Sequence, residues 1–320
     1  MPDQAVLDWL LAADPAVRYL TTRDLLGRDD PALQAGIPTS TGHAQCLLAA
    51  QHPDGHWGSG FYRPKWTSSH YTLLELKNLG LPPDTPQATR TVERILREEN
   101  LPDGGISPRG RVRRSDACVT GMALGYAAYF GAPPALLRAP IDFLLVQRLR
   151  DGGFNCRANR APVTHSSVHT TTSIIEGITD YLERGYDYRA DELADARAGA
   201  IEFLLRHQLF RSHTTGAVIK PEFTRFHHPS RWYYDVLRGL DALRAARAPM
   251  DERMRDALDV VTTRQRPDGR WTVVSPYPGE THVAPERGGT PSPWVTLVAL
   301  RVLTAYPTDT PTTTSRAEPP

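Results

Sequence analysis

The sequence predicts an all-α fold of about five helix-pair repeats, arranged as an inner and an outer helical ring. Two observations lead there. First, an Asp-Gly turn stands just before an aromatic or aliphatic residue in "QHPDGHWG" (51–58), "LPDGGI" (101–106), "QRLRDGGF" (147–154) and "QRPDGRW" (265–271). The pairs start at 54, 103, 151 and 268, so the gaps are 49, 48 and then 117 residues. A period of about 50 residues with one marker missing points to a repeat architecture. Second, each turn separates two kinds of helical stretch. Ahead lies an amphipathic run such as "APIDFLLVQRLR", and beyond a polar loop comes a more apolar one. Helices that are apolar on all sides need cover all round, so they form the inner ring and the amphipathic ones the outer.

Residues 1–40 read as a leading helical extension that caps the ring, through "AVLDWLLA" and "AVRYLTTRDLLG". The ring spans residues 41–305. Its inner helices begin near "SSHYTLLELKNLG", "SDACVTGMALGYAAYFG", "SVHTTTSIIEGITDYLERG", "SRWYYDVLRGLDALRAA" and "PSPWVTLVALRVLTAY". Small or polar starts support these helices, as do the stops at Gly80, Gly131 and Gly185. In the fourth repeat Thr215-Gly216 stands in for the missing Asp-Gly. The tail, 306–320, is Pro/Thr-rich with little to bury, and disorder is expected there. All the inner N-termini meet at one end of the ring. Unsatisfied N–H groups and partial positive charge gather at that end, so chemistry is expected there.

A chain of 320 residues with 40% hydrophobic content can bury a large core. Lys and Arg number 37 against 36 for Asp and Glu, which leaves no general field for nucleic acid. No stretch approaches the roughly 18 consecutive apolar residues of a membrane span. The start, "MPDQAVLDWLLAADPAVR", lacks the pattern of a signal peptide, so a cytoplasmic location is expected. Cys46, Cys118 and Cys156 make an odd count at irregular spacing. That argues against a disulfide framework and leaves thiols for chemistry or metal.

The repeated Asp-Gly-aromatic turns between helix pairs resemble those of the terpenoid cyclase and protein prenyltransferase superfamily, whose fold is an α/α toroid. The resemblance covers roughly residues 40–305, and the second and third repeats are closest to prenyltransferase β subunits. "DGGISPRGRVRRSDACVTG" is similar to the pattern in which Gly-Gly is followed by an Arg, a Lys and then Asp-x-Cys at the start of an inner helix. In that family the Asp and Cys bind zinc, and a His-Thr at the next inner helix supplies a third ligand. "SSVHTTTSIIEG" matches that position through His169. The resemblance thus implies Asp116, Cys118 and His169 as zinc ligands, with Arg109 and Arg113 holding a substrate's diphosphate. Val119 replaces a Tyr that helps to bind diphosphate. Ser68 replaces a diphosphate-binding His, although His70 lies two residues on. The cyclases' D-x-D-D motif appears nowhere in the sequence, which argues against proton-initiated cyclisation. Protein prenyltransferases also need a separate α subunit.

Read physically, "RVRRSDACVTGM" (111–122) has two explanations. Ser115 and Asp116 are natural N-cap residues, and Cys118 is a small buried hydrophobe. Alternatively Asp116, held in non-helical backbone at the helix start, shares a metal with Cys118, and His169 lies beside them in the next repeat. Oxygen, sulfur and nitrogen donors suit Zn²⁺, and three ligands leave a fourth position open. Arg109, Arg111, Arg113 and Arg114 form either a solvated loop or a clamp for an anionic leaving group. "FHHPSRWYYDVL" brings His227, His228, Trp232, Tyr233, Tyr234 and Asp235 to the rim, as packing or as an aromatic wall. Asp235 and Tyr234 are the catalytic candidates there, and Trp232 is a candidate substrate contact. His165 and Cys156 are second-line metal candidates. His43, His52, His56, His207, His213 and His282 carry no spacing signal and read as surface or turn residues.

The first function expected is zinc-dependent transfer of an alkyl or prenyl group from a hydrophobic isoprenoid diphosphate to a zinc-activated nucleophile, on a small-molecule, peptide or protein acceptor. The apolar inner ring would hold the chain. The second keeps the metal for cyclase, lyase or hydrolase chemistry. The third is a non-catalytic toroid that binds a lipid or a protein.

Overall fold

The computed structural model describes residues 2–108 and 114–307. Thirteen α-helices lie among them: α1 (Gln4–Leu11), α2 (Pro15–Asp24), α3 (Pro31–Gly36), α4 (His43–Ala49), α5 (Ser69–Asn78), α6 (Pro86–Glu98), α7 (Ala117–Tyr129), α8 (Pro134–Val146), α9 (Val168–Glu183), α10 (Ala190–Arg206), α11 (Val236–Ala245), α12 (Arg255–Thr263) and α13 (Pro293–Ala305). Extended pairing among the described residues is limited to isolated bridges such as Asn100 with Ile106. No helix among them is long and apolar enough to cross a membrane. The expected tail falls almost wholly outside the described residues.

The helices make the α/α toroid that the repeats predict. Around the inner ring α5 packs on α7, α7 on α9, α9 on α11 and α11 on α13, while α6, α8, α10 and α12 lie outside. In α7 every residue from Val119 to Tyr129 is buried, as an inner helix requires.

The Asp-Gly turns are where each repeat is locked. Gly55, Gly104, Gly152 and Gly269 take positive φ, between 76° and 91°, so a residue with a Cβ would be strained there. The aromatic or aliphatic residue after each turn then donates its N–H to a hydroxyl on the following inner helix. These bonds are Trp57 to Ser69 (3.0 Å), Ile106 to Thr120 (2.9 Å), Phe154 to Thr171 (3.0 Å) and Trp271 to Thr296 (3.0 Å). The turn aspartates add a second lock in the middle repeats. Asp103 accepts from the N–H and hydroxyl of Ser115, and Asp151 does the same for Ser166. The small polar residues at the inner-helix starts therefore tie turn to helix.

One expectation changes. The leading segment does not only cap the ring, because α2 joins it: α2 packs on α13, and Tyr19 and Leu20 lie against Gly80 at the end of α5. With α2 counted, six helices line the ring. Arg301 of α13 fixes the closure by bonding Asp24 of α2 (3.0 Å) and Asp241 of α11.

The tightest crossing is between α7 and α9, where Gly177 lies against the backbone of Gly121. A Cβ on Gly177 would run into the Gly121 carbonyl oxygen, and a backbone atom inside two packed helices cannot swing aside. Gly177→Ala is therefore expected to destabilise the fold by about 3 kcal/mol. Gly36→Ala, whose Cβ would meet only Ser40 Oγ at 3.7 Å, should be neutral or slightly stabilising. Denaturant midpoints of the two variants check this, and equal midpoints would refute the crossing.

Candidate functional site

The predicted metal rim is only partly assembled. Asp116 has the extended backbone anticipated for the helix start (φ −103°, ψ 119°), but its side chain makes no cap bond. Its carboxylate pairs instead with the Arg160 guanidinium at 2.5 Å. Cys118 and Cys156 interact thiol to thiol. The hydrogen bond between them and burial raise Cys118, whereas Cys156, which receives that bond, is lowered. His169 is otherwise engaged: its Nδ1 accepts the Tyr234 N–H (2.9 Å), and its ring packs on Phe223 and Trp232. Burial, helped by the Lys220 and Arg238 charges, pushes His169 down to about 4, so it is neutral. His165 is exposed. Among the described residues no three His, Cys, Asp or Glu side chains converge on a point that could hold a metal. As placed, Asp116, Cys118 and His169 do not fit the expected zinc set.

The diphosphate side also changes. Arg109, Arg111 and Arg113 lie outside the described residues. His70 is fully buried against Phe61, Tyr62, Tyr71 and Tyr126, and its Nδ1 meets the Tyr126 hydroxyl at 3.3 Å. Burial pushes it down to about 3, so it carries no charge for a diphosphate. Tyr234 is not placed for catalysis: it is buried, and its hydroxyl donates to the Leu209 carbonyl (2.7 Å). Trp232 does lie at the rim, stacked on Tyr233 with ring centroids 4.1 Å apart.

The cavity is elsewhere, in the lumen between α2, α5, α9, α11 and α13. It measures about 150 Å³. Its wall is not the apolar sleeve expected for a hydrocarbon chain. Arg238 forks onto Glu176 (2.6 and 2.8 Å) and donates to Ser173 Oγ and the Tyr233 carbonyl. Arg301 bridges Asp241 and Asp24, and His43 meets Glu75 at 2.6 Å. His43 is thus a half-buried residue that holds Glu75 of the lumen wall, and not a surface residue. Burial opposes its charge, but the Glu75 bond and charge outweigh burial and raise its pKa. Asp235 also lines the lumen. Burial pushes its carboxyl up to about 6, against the bonds it accepts from the Arg238 and His227 N–H groups. Trp294 completes the wall, stacked on His228 at 4.8 Å and 6°.

Sequence reasoning missed Glu75, Glu176, Arg238, Asp241 and Arg301, although a signal existed. Each sits as a charge in the middle of an otherwise apolar inner stretch, as in "YTLLELKN", "SIIEGITD" and "WVTLVALRVL". A charge at such a position must be paired across the ring.

Fold and lumen together define the class: an α/α toroid whose central cavity is walled by ion pairs among apolar side chains. No family model and no curated protein matches the sequence. In structure the chain is similar to a polysaccharide lyase, at 13% identity and a TM-score of 0.53, over 93% of this chain and 95% of that one. It is similar also to a glycosyl hydrolase of family 88 from Bacteroides vulgatus, at 14% identity and a TM-score of 0.52, over 94% and 96%. A type II terpene cyclase from Scytonema matches with a TM-score of only 0.34, at 16% identity over 82% and 94%, too loosely to argue from. At these identities the likeness establishes the fold alone.

Proposed function

We propose that the lumen binds a polar, ring-sized unit such as one sugar residue, and that the chain is a carbohydrate-active enzyme in which Asp235 is the proton donor. The observation that carries this reading is the lumen itself. Its volume of about 150 Å³ matches a cavity that takes one six-membered ring. Its paired charges offer hydrogen-bonding edges, and the Trp294 ring offers a face for a sugar. A carboxyl raised to about 6 at such a wall keeps its proton in mildly acid solution, which suits general acid work on a leaving oxygen. The lyase and hydrolase names of the two similar structures agree with this reading, by analogy of fold.

The isoprenoid diphosphate expected from the prenyltransferase resemblance, with its peptide or protein acceptor, is the second reading. It is supported by the rim aromatics, where the Lys65 ammonium lies over Trp66 (4.6 Å) and Trp232 (5.0 Å). The lumen supports it poorly, because a prenyl chain of several units outgrows it and would desolvate its ion pairs.

Calorimetric titration with a panel of neutral and acidic oligosaccharides beside geranyl diphosphate decides between the two. Saccharide binding without diphosphate binding is the expected result, and the reverse would sink the proposal. Where turnover is found, kcat/KM should fall tenfold per pH unit above about 6, as Asp235 loses its proton. Asp235→Asn should lower it by about 10²–10⁴.

A further inference from the structure

Beside the lumen lies a second, enclosed recess of about 40 Å³ that shares Glu75, His228, Pro229 and Trp294 with it. Two buried polar groups in its wall lack partners. Arg231 is only 7% exposed, is held in left-handed backbone (φ 55°) and rests on the Trp66 ring at 4.2 Å. Its Nε and Nη1 have no hydrogen-bond partner. His228, stacked on Trp294, has a buried Nε2 that is likewise unpartnered. The carboxylates in the same wall make no hydrogen bond to them: Glu75 meets His43 and Glu286 accepts the Ser292 hydroxyl (2.7 Å), so Arg231 feels Glu75 only as a charge at a distance. The other buried guanidiniums nearby do meet carboxylates: Arg238 that of Glu176, and Arg301 those of Asp24 and Asp241.

We propose that the recess is a binding site for the carboxylate of a small organic acid, whose body extends into the lumen. A buried cation with idle N–H groups is costly, and such a cost persists in a native fold where a ligand relieves it. The recess, at about 40 Å³, is too small for a ring but exceeds the roughly 10–15 Å³ that a single water needs, so it has room for a carboxylate head. Arg231 supplies charge-assisted donors, and His228 presents Nε2 as a third group facing the same head. Trp66 and Trp294 shield the pair from solvent, which strengthens it. The proposal stands on the recess and does not depend on the substrate being a sugar.

The probes are acetate, which fills only the recess, benzoate, whose ring reaches the lumen, and the uncharged benzamide. Tryptophan fluorescence and the NMR titration of His228 report on each. Benzoate should bind at least tenfold more tightly than benzamide and more tightly than acetate, and should raise the His228 pKa. Arg231→Met should abolish benzoate binding while leaving the denaturant midpoint of the free protein unchanged or raised. Arg231→Lys keeps the charge and should retain part of the affinity. Equal binding of benzoate and benzamide, or none of either acid by folded protein, would overturn the site and leave the recess to water. A large drop in the midpoint of Arg231→Met would also overturn it, by making Arg231 a structural residue.

Discussion

Replacing Arg238 with methionine is expected to destabilise the fold by about 3 kcal/mol, the low end of the range for breaking one side of a buried ion pair. Arg238 is 8% exposed and joins three elements at once: Glu176 and Ser173 of α9, the Tyr233 carbonyl ahead of α11, and its own helix. Its removal strands the Glu176 carboxylate in the lumen wall and takes the Arg238 donor from the Tyr233 carbonyl. Glu176 keeps some contact with solvent, with its side chain 26% exposed, which holds the cost near the low end. The double variant Arg238→Met, Glu176→Gln should recover part of the loss, since it leaves no unpaired charge. Guanidinium unfolding of the three proteins measures this. Additive losses would mean that the two side chains do not act as a pair.

The second large effect is acid destabilisation well above the usual carboxylate range. His70 and His228 are pushed down to about 3 by burial, and His169 to about 4. In the unfolded chain each returns to about 6.5. Below that value the unfolded state takes up protons that the fold refuses. The stability they contribute is therefore full above about pH 7 and falls as pH drops toward their folded values. Each costs about 1.4 kcal/mol per pH unit in the window. Asp235 works in the opposite sense between about 4 and 6, because the fold holds a proton there that the unfolded chain has released. For these four groups alone, three against one, the loss is about 3 kcal/mol per unit between pH 6 and 5. His43, raised by Glu75, acts in the opposite sense to the other three histidines: its contribution is present below about 6.5 and is lost as pH rises through its folded value. Urea midpoints across pH 4.5–7.5 would show a steep acid limb, and a flat profile from 7 to 5 would contradict the buried neutral histidines. His70→Phe should flatten that limb by about half.

The elements legible in the residues alone are those with local causes. An Asp-Gly pair forces a turn because only glycine takes that φ without strain, and the apolar run after it can settle only as a buried helix. Hence the repeat period, the inner helices α5, α7, α9, α11 and α13, and the non-helical backbone at Asp116 could all be read from the chain. The thiols and His169 could be ranked by spacing. Spacing could not say that the Cys118 thiol would meet Cys156, that Arg160 would take Asp116, or that the Tyr234 N–H would reach His169. Those partners come from other repeats, and their distances depend on how the helices rotate about their axes.

The lumen belongs wholly to that second kind. Arg301 bonds Asp24 across 277 positions of chain, and the Trp66 Nε1–H reaches the Pro278 carbonyl across 212. Such pairings place α2 in the ring, turn His43 from a surface residue into the partner of Glu75 beside the recess, and leave Arg231 buried with idle donors. A helix's pattern shows that one face must be covered, since burial follows from side-chain type alone. Which charge meets which, and which is left without a partner, follows only when the ring closes. Closure is a property of all the helices together, and no single segment encodes it.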